Sequence, residues 1–180
     1  MALSAPERIW WKPLGRQERL WVGVSLGFLM ILFLSMPLWP LIEKQNTPNE
    51  FYRVSPAQFT QLVTDFNAKY KVGAEGGVPI VRPPPGDVYL AGQQWRWSSI
   101  LELQQGKTYR IHTSSLDVNH GLSIQPIDMN FQLVPGYDQV LTLTPTTTGD
   151  FALICNEFCG AGHHLMVGHL RVRGCCWPPA

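Results

Sequence analysis

Two cysteines, a histidine and a methionine stand within twelve residues in Cys155-Asn-Glu-Phe-Cys159-Gly-Ala-Gly-His163-His164-Leu-Met166. Thiolate, imidazole and thioether so close together admit three chemistries. A disulfide between Cys155 and Cys159 suits an exported domain but gives His163 and Met166 no role. Zinc accepts a Cys-Cys-His set, yet it rarely uses thioether and prefers tighter cysteine spacings. Copper is the remaining choice, because thiolate with thioether selects a soft ion that imidazole suits equally.

A mononuclear blue copper site needs two histidines, one cysteine and a weak axial methionine. The second histidine must come from a distant segment, and His120 in Asp117-Val-Asn-His120-Gly sits where a strand starts after a polar turn. One cysteine is then left over. Two thiolates four residues apart can each bridge two metals, so the natural count is two coppers sharing Cys155 and Cys159. His120 and His163 would cap one copper each, with Met166 and a backbone carbonyl completing the set. Such a pair spreads one electron over two metals and favours fast transfer. His164 is offset by one from this pattern, and His112 and His169 read as ordinary strand residues.

These ligands need a rigid frame, and the chain downstream of Asp87 supplies one. Short apolar, β-rich runs at Val88–Ala91, Ile100–Leu103, Thr108–Ser114, Leu122–Gln125, Met129–Val134, Gln139–Leu143, Phe151–Ile154 and His169–Val172 alternate with turn residues. Strands at this spacing predict a β-sandwich or barrel of about 100 residues. The ligand loop lies between the last two runs. Trp95 and Trp97 alternate in Gln94-Trp95-Arg96-Trp97, which alone predicts packing on one sandwich face.

Upstream, Leu20–Ile42 is an uncharged 23-residue stretch. As helix it would extend about 34 Å, enough to cross a hydrocarbon core of about 30 Å. Its length and its Pro37-Leu-Trp39-Pro40 end predict an uncleaved anchor rather than a cleaved signal. Arg8, Lys12, Arg16 and Arg19 before it, against Glu43 and Lys44 after it, predict a cytoplasmic N-terminus and an outer domain. Trp10, Trp11, Trp21 and Trp39 fall where interfacial aromatics would anchor the two ends. The expected organisation is a tail at 1–19, a membrane helix at 20–42, a linker at 43–86 with a short amphipathic helix, a copper domain at 87–174 and a tail at 175–180. The linker helix spans Val54 to Tyr70, opens on Ser55-Pro56 and carries Phe59, Leu62, Val63 and Phe66. Gly73 to Gly86, with its Pro83-Pro84-Pro85 run, reads as a connection.

Charge excludes one class of partner. Fourteen Lys and Arg against thirteen Asp and Glu give a net +1, without the basic excess of a nucleic-acid binder. Beyond the anchor ten basic residues face eleven acidic ones, so no charge-steered, strongly basic donor is implied. Cys175-Cys176 fits none of this chemistry.

The motif Cys-x-Glu-x-Cys-x3-His-x2-Met, with a lone Asp-Val-x-His upstream, resembles the dinuclear copper A site of cytochrome c oxidase subunit II. The resemblance runs from about Asp87 to Arg173 and includes Gln94-Trp95-Arg96-Trp97 and the Pro135-Gly136 turn. It implies an all-β cupredoxin Greek-key sandwich with one N-terminal transmembrane helix, similar to the short single-helix form paired with B-type haem-copper oxidases. It implies that Cys155 and Cys159 bridge two copper ions, that His120 and His163 are terminal ligands, and that Met166 and the Glu157 carbonyl are weak ones. In relatives that bind magnesium at the boundary with subunit I, the side chain matching Glu157 is a ligand too, although some short relatives carry Gln there. Trp95 is implied to be the surface residue where electrons enter. The role implied is electron transfer in a terminal oxidase, from cytochrome c or another small donor to haem in subunit I, where oxygen is reduced to water. The chain would then sit in the bacterial plasma membrane, with the copper domain on the periplasmic side. A copper A nitric oxide reductase subunit and a membrane-tethered copper carrier are the alternatives.

Overall fold

The computed structural model describes residues 13–42, 50–127 and 129–174, and the chain divides into two compact units between Gln45 and Asn46. Arg8, Trp10, Trp11, Lys12, Glu43, Lys44, Cys175 and Cys176 lie outside the described residues.

Among its described residues the first unit has one helix, α1 (Arg16–Ile42). It starts one turn before the uncharged stretch, where Glu18 accepts a hydrogen bond from the Gly15 N–H at 2.7 Å. An acid suits this position because the first-turn N–H groups are unpaired and the helix dipole is positive there. With a mean hydropathy of 2.0 and no buried residue, α1 is long and apolar enough to cross a membrane. Trp21 and Trp39 are exposed near its two ends.

The second unit is a two-sheet sandwich. One sheet has the order β1-β10-β7-β4-β5, formed by β1 (Glu50–Arg53), β4 (Gly86–Gln93), β5 (Arg96–Trp97), β7 (Tyr109–Ser115) and β10 (Tyr137–Leu143). The other has the order β2-β3-β6-β12-β11-β8-β9. Its strands are β2 (Lys71–Glu75), β3 (Val78–Val81), β6 (Ile100–Gln104), β8 (His120–Gln125), β9 (Met129–Leu133), β11 (Gly149–Ile154) and β12 (Val167–Arg173). β4 runs parallel to β7 and β12 parallel to β6, while β8–β9 and β11–β12 are antiparallel hairpins. Chain-distant strands are thus neighbours, as the expected cupredoxin Greek-key sandwich requires. Strand β9 shows why the sequence folds so: Met129, Phe131 and Leu133 are buried while Asn130 and Gln132 are exposed. The inner faces meet in one apolar core that includes Cys155, Cys159 and Met166.

All eight expected strands are present, and the segment expected as linker contributes three more. Gly73 to Gly86 is not simply a connection. Its first part forms the β2–β3 hairpin, turned by Gly76 and Gly77 at φ +56° and +81°, a backbone that glycine adopts without steric cost. Only Arg82 to Pro85, including the proline run, connects. Helix α2 (Pro56–Tyr70) carries a capping box between Ser55 and Gln58 and buries Phe59, Val63 and Phe66. Phe59 and Phe66 meet the ring of Tyr89 in β4 edge-on, at 6.1 and 5.7 Å between centroids. Each buried side chain contributes about 1.5–3 kcal/mol relative to exposure. Leu62, placed on the apolar face by sequence, is exposed.

Candidate metal centre

Strand β11 pairs with β12 on one side and β8 on the other, with Ile154 opposite Val167 and Ser123. Its continuation, Cys155, therefore emerges beside the start of β8, where His120 stands. The Cys155 N–H donates to the Met166 carbonyl at 3.1 Å and closes the loop, so both ends of the ligand segment are fixed by the sheet. Inside the loop, His163–Leu165 form a short 3₁₀ turn. The loop lies so close over β8 that a Cβ on Gly121 would fall 2.0 Å from Asn156 Oδ1 and 2.9 Å from the Glu157 N–H nitrogen. Only glycine fits there.

The donor atoms of these residues converge. Cys155 and Cys159 are free and buried, with their sulfurs 3.7 Å apart. His120 Nδ1 lies 3.7 Å from Cys155 Sγ, and His163 Nδ1 lies 3.6 Å from Cys159 Sγ. The Glu157 carbonyl is 3.3 Å from Cys155 Sγ, and Met166 Sδ is 4.0 Å from Cys159 Sγ. Each thiol thus has its own imidazole and its own weaker donor. His120, Cys155 and Cys159 place their donor atoms within 4.8 Å of one another. The Glu157 side chain is exposed and lies against Gly121. His164 is exposed.

These donors suit a soft metal ion. With metal–thiolate bonds of about 2.3 Å, an ion can touch both sulfurs only if they lie within about 4.6 Å, and here they do. Burial, and then the hydrogen bond and charge of Cys155, push the Cys159 thiol up to about 11. A bound cation reverses that preference, because a coordinating thiol is deprotonated outright.

Three supporting contacts were not legible as such. Asp117 does more than cap the turn: its Oδ1 lies 2.8 Å from His120 Nε2 and accepts from the Val118 N–H, while its Oδ2 accepts from the Gln94 N–H at 2.7 Å. With Nε2 bonded to the carboxylate, Nδ1 faces the sulfurs, the usual arrangement around a metal-binding imidazole. Burial raises the Asp117 pKa, but the Gln94 and Val118 N–H groups and His120 outweigh it and hold the carboxyl below its ordinary value. Gln94 Nε2 also donates to the Cys159 carbonyl at 2.6 Å, tying the loop to β4. Trp97 is buried and donates from Nε1 to the Leu153 carbonyl at 3.1 Å.

Trp95 does not share the packed environment of Trp97. It is 43% exposed, and a Cβ on Gly162 would fall 2.4 Å from its ring, so the indole lies directly on the ligand loop. Phe158, Leu165 and Val167 are exposed on or beside the same loop.

No family model matches the chain. Among curated proteins it is 32% identical over 73 residues to "Cytochrome c oxidase subunit 2" of Thermus thermophilus, covering 41% of this chain and 54% of that one. Over 72 residues it is 35% identical to "Probable cytochrome c oxidase subunit 2" of Streptomyces coelicolor, covering 40% and 23%. The matched stretch is similar to proteins named cytochrome c oxidase subunit 2. The chain spans about half the length of the Thermus relative it matches. Among solved structures, a chain of a heme-copper terminal oxidase dimer studied by cryo-EM superposes with a TM-score of 0.56 at 20% identity, covering 88% of this chain and all of that one. That likeness extends the shared fold well beyond the stretch matched in sequence.

Proposed function

We propose that this chain is the electron-transfer subunit of a terminal haem-copper oxidase and holds a dinuclear copper centre. The observation that carries this reading is the paired arrangement: two free thiols 3.7 Å apart, each facing a different imidazole. A one-copper site of two histidines, one cysteine and a weak methionine would leave one of the thiols without a role. Copper bound there would accept and release one electron at a time.

The chain's own residues then have separable roles. Cys155 and Cys159 would hold the copper together with His120 and His163, and Met166 and the Glu157 carbonyl would be the weaker donors. The apolar core around both thiols excludes water, which keeps the ligand set from rearranging as charge changes. The Trp95 ring reaches from the loop to the surface, where a donor such as cytochrome c can approach. Asp117 and His120 lie on the side from which the electron leaves for haem in subunit I. The exposed Glu157 carboxylate is free to hold magnesium at that boundary. We further infer a single-pass protein of the bacterial plasma membrane, with a cytoplasmic N-terminus and a periplasmic copper domain. In this organisation β1, α2 and the β2–β3 hairpin belong with the copper domain.

The experiment is purification of the native complex from source membranes by a tag on this chain. The expected result is co-purification of a haem-containing integral subunit whose oxygen consumption depends on the copper centre, with magnesium or manganese present. Recovery of the chain without haem, or turnover of nitric oxide in place of oxygen, contradicts the oxidase assignment.

A further inference from the structure

The cleft beside Trp95 is not explained by copper binding. It is open, has a volume of about 250 Å³, and lies between edge strand β5, the tip of the β2–β3 hairpin and the start of β12. Its walls include Glu75, Trp95, Arg96, Ser99, Val167 and His169. The charges in those walls are not equivalent. Both Glu75 oxygens are taken by Arg171, at 3.0 and 2.8 Å, and His169 Nδ1 is 2.9 Å from Asp150 Oδ1.

Arg96 has no such partner among the described residues. Of the sandwich's other arginines, Arg110 pairs with Glu50 and Asp87, Arg82 and Arg173 with Glu102, and Arg171 with Glu75, while Arg53 lies over the Tyr137 ring. An exposed guanidinium offers a planar fork that matches a carboxylate in two parallel hydrogen bonds. In the same wall the Ser99 hydroxyl is buried without a partner. The cleft also shares Trp95 with the ligand loop, so whatever it seats touches the ring that lies on Gly162.

We propose that this cleft is a carboxylate subsite, in which Arg96 anchors an acidic group of the electron donor against Trp95. The inference rests on the electron-transfer reading above and adds the chemistry by which the donor is recognised. It fits a neutral domain: one fixed guanidinium beside the ring sets orientation, where a general charge excess would only steer.

The test uses the copper-loaded full chain in detergent at low ionic strength and two one-electron reductants. Fe(II)–EDTA is an anion bearing carboxylates, and hexaammineruthenium(II) is a cation with none. Each gives up one electron, becoming Fe(III) or Ru(III), and the copper centre gains it. Arg96→Gln is expected to slow reduction by Fe(II)–EDTA roughly fivefold without slowing reduction by the ruthenium cation or changing the visible spectrum. Glutarate should slow Fe(II)–EDTA more than sodium chloride of equal ionic strength in the parent, but not in Arg96→Gln. Arg96→Lys keeps the charge without the fork, so it should retain most of the rate and lose most of the glutarate effect. Equal rates in parent and Arg96→Gln overturn the proposal. So does an equal loss with both reductants, or chloride competing as well as glutarate. Failure of both reductants with the parent would instead strike at the electron-transfer reading itself.

Discussion

His120 and His163 each lie beside a different one of the two thiols, yet their surroundings differ. His120 is fully buried, its ring against Gly92 and its far nitrogen on Asp117, at the first residue of a central strand. His163 is half-buried in a single 3₁₀ turn, 6.0 Å from the ring of Phe158, which is 81% exposed. One imidazole is held by the sheet and the other is carried near the surface by the loop. On the function proposed above, the inner side would serve stability and metal geometry, and the outer side contact with other molecules.

The largest effect should come from the two tryptophans that divide along this line. Trp97→Ala is expected to cost roughly 3–5 kcal/mol, because it empties a core position and strands the Leu153 carbonyl. Trp95→Ala should cost less than about 1 kcal/mol, as for a surface change, and leave the copper spectrum intact while slowing donor-to-copper transfer. Chemical denaturation and stopped-flow reduction of each variant check both halves. Loss of stability in Trp95→Ala with a normal rate would return that ring to the core.

A smaller effect separates the two histidines themselves. Asp117→Asn should lower copper affinity about 10- to 100-fold, the scale for losing a carboxylate behind a metal-binding imidazole, and shift the visible spectrum. His164→Ala, beside the outer ligand but exposed, should change neither. Competition with a copper chelator measures both. Equal affinities would mean that Asp117 only caps its turn.

The smallest effect compares a buried and an exposed histidine–aspartate pair of similar length. His112 Nδ1 is 2.7 Å from Asp138 inside the sheet, and His169 Nδ1 is 2.9 Å from Asp150 at the surface. Burial would lower the His112 pKa, but Asp138, and then Asp87, outweigh it and the pKa is raised. Because the folded value lies above the unfolded one, the pair's stabilisation is fully present below about pH 6.5 and is lost as pH rises through the folded pKa. Thermal midpoints at pH 6 and pH 9 should therefore differ more in the parent than in His112→Gln. His169→Gln should leave that difference unchanged, since exposed pairs contribute about 0–1 kcal/mol.

The same inner and outer division explains what was legible in sequence. Alternation in β9 and apolar runs elsewhere marked all eight central strands, because burial on one face writes a period of two into the chain. β2 and β3 were hidden by their turn: Gly76-Gly77 and the later prolines resemble a linker until Ile80 is seen paired with Ile100. Two-residue β5 is too short to show a pattern. The ligand residues were readable because soft donors in one loop have few other uses. Asp117 was not, since an acid three residues before a histidine is ordinary turn chemistry until β8 fixes the ring. Arg96 gave no signal at all; its lack of a partner exists only in three dimensions.

The central claim is that Cys155 and Cys159 bridge two metals, and metal analysis with electron paramagnetic resonance on the copper-loaded full chain tests it most directly. The account predicts two coppers per chain and, in the oxidised form, hyperfine splitting from two equivalent copper nuclei; Cys155→Ser should reduce this to a one-copper signal built on Cys159, His163 and His120. One copper per parent chain, a single-nucleus spectrum, or zinc taken up in preference to copper would contradict it.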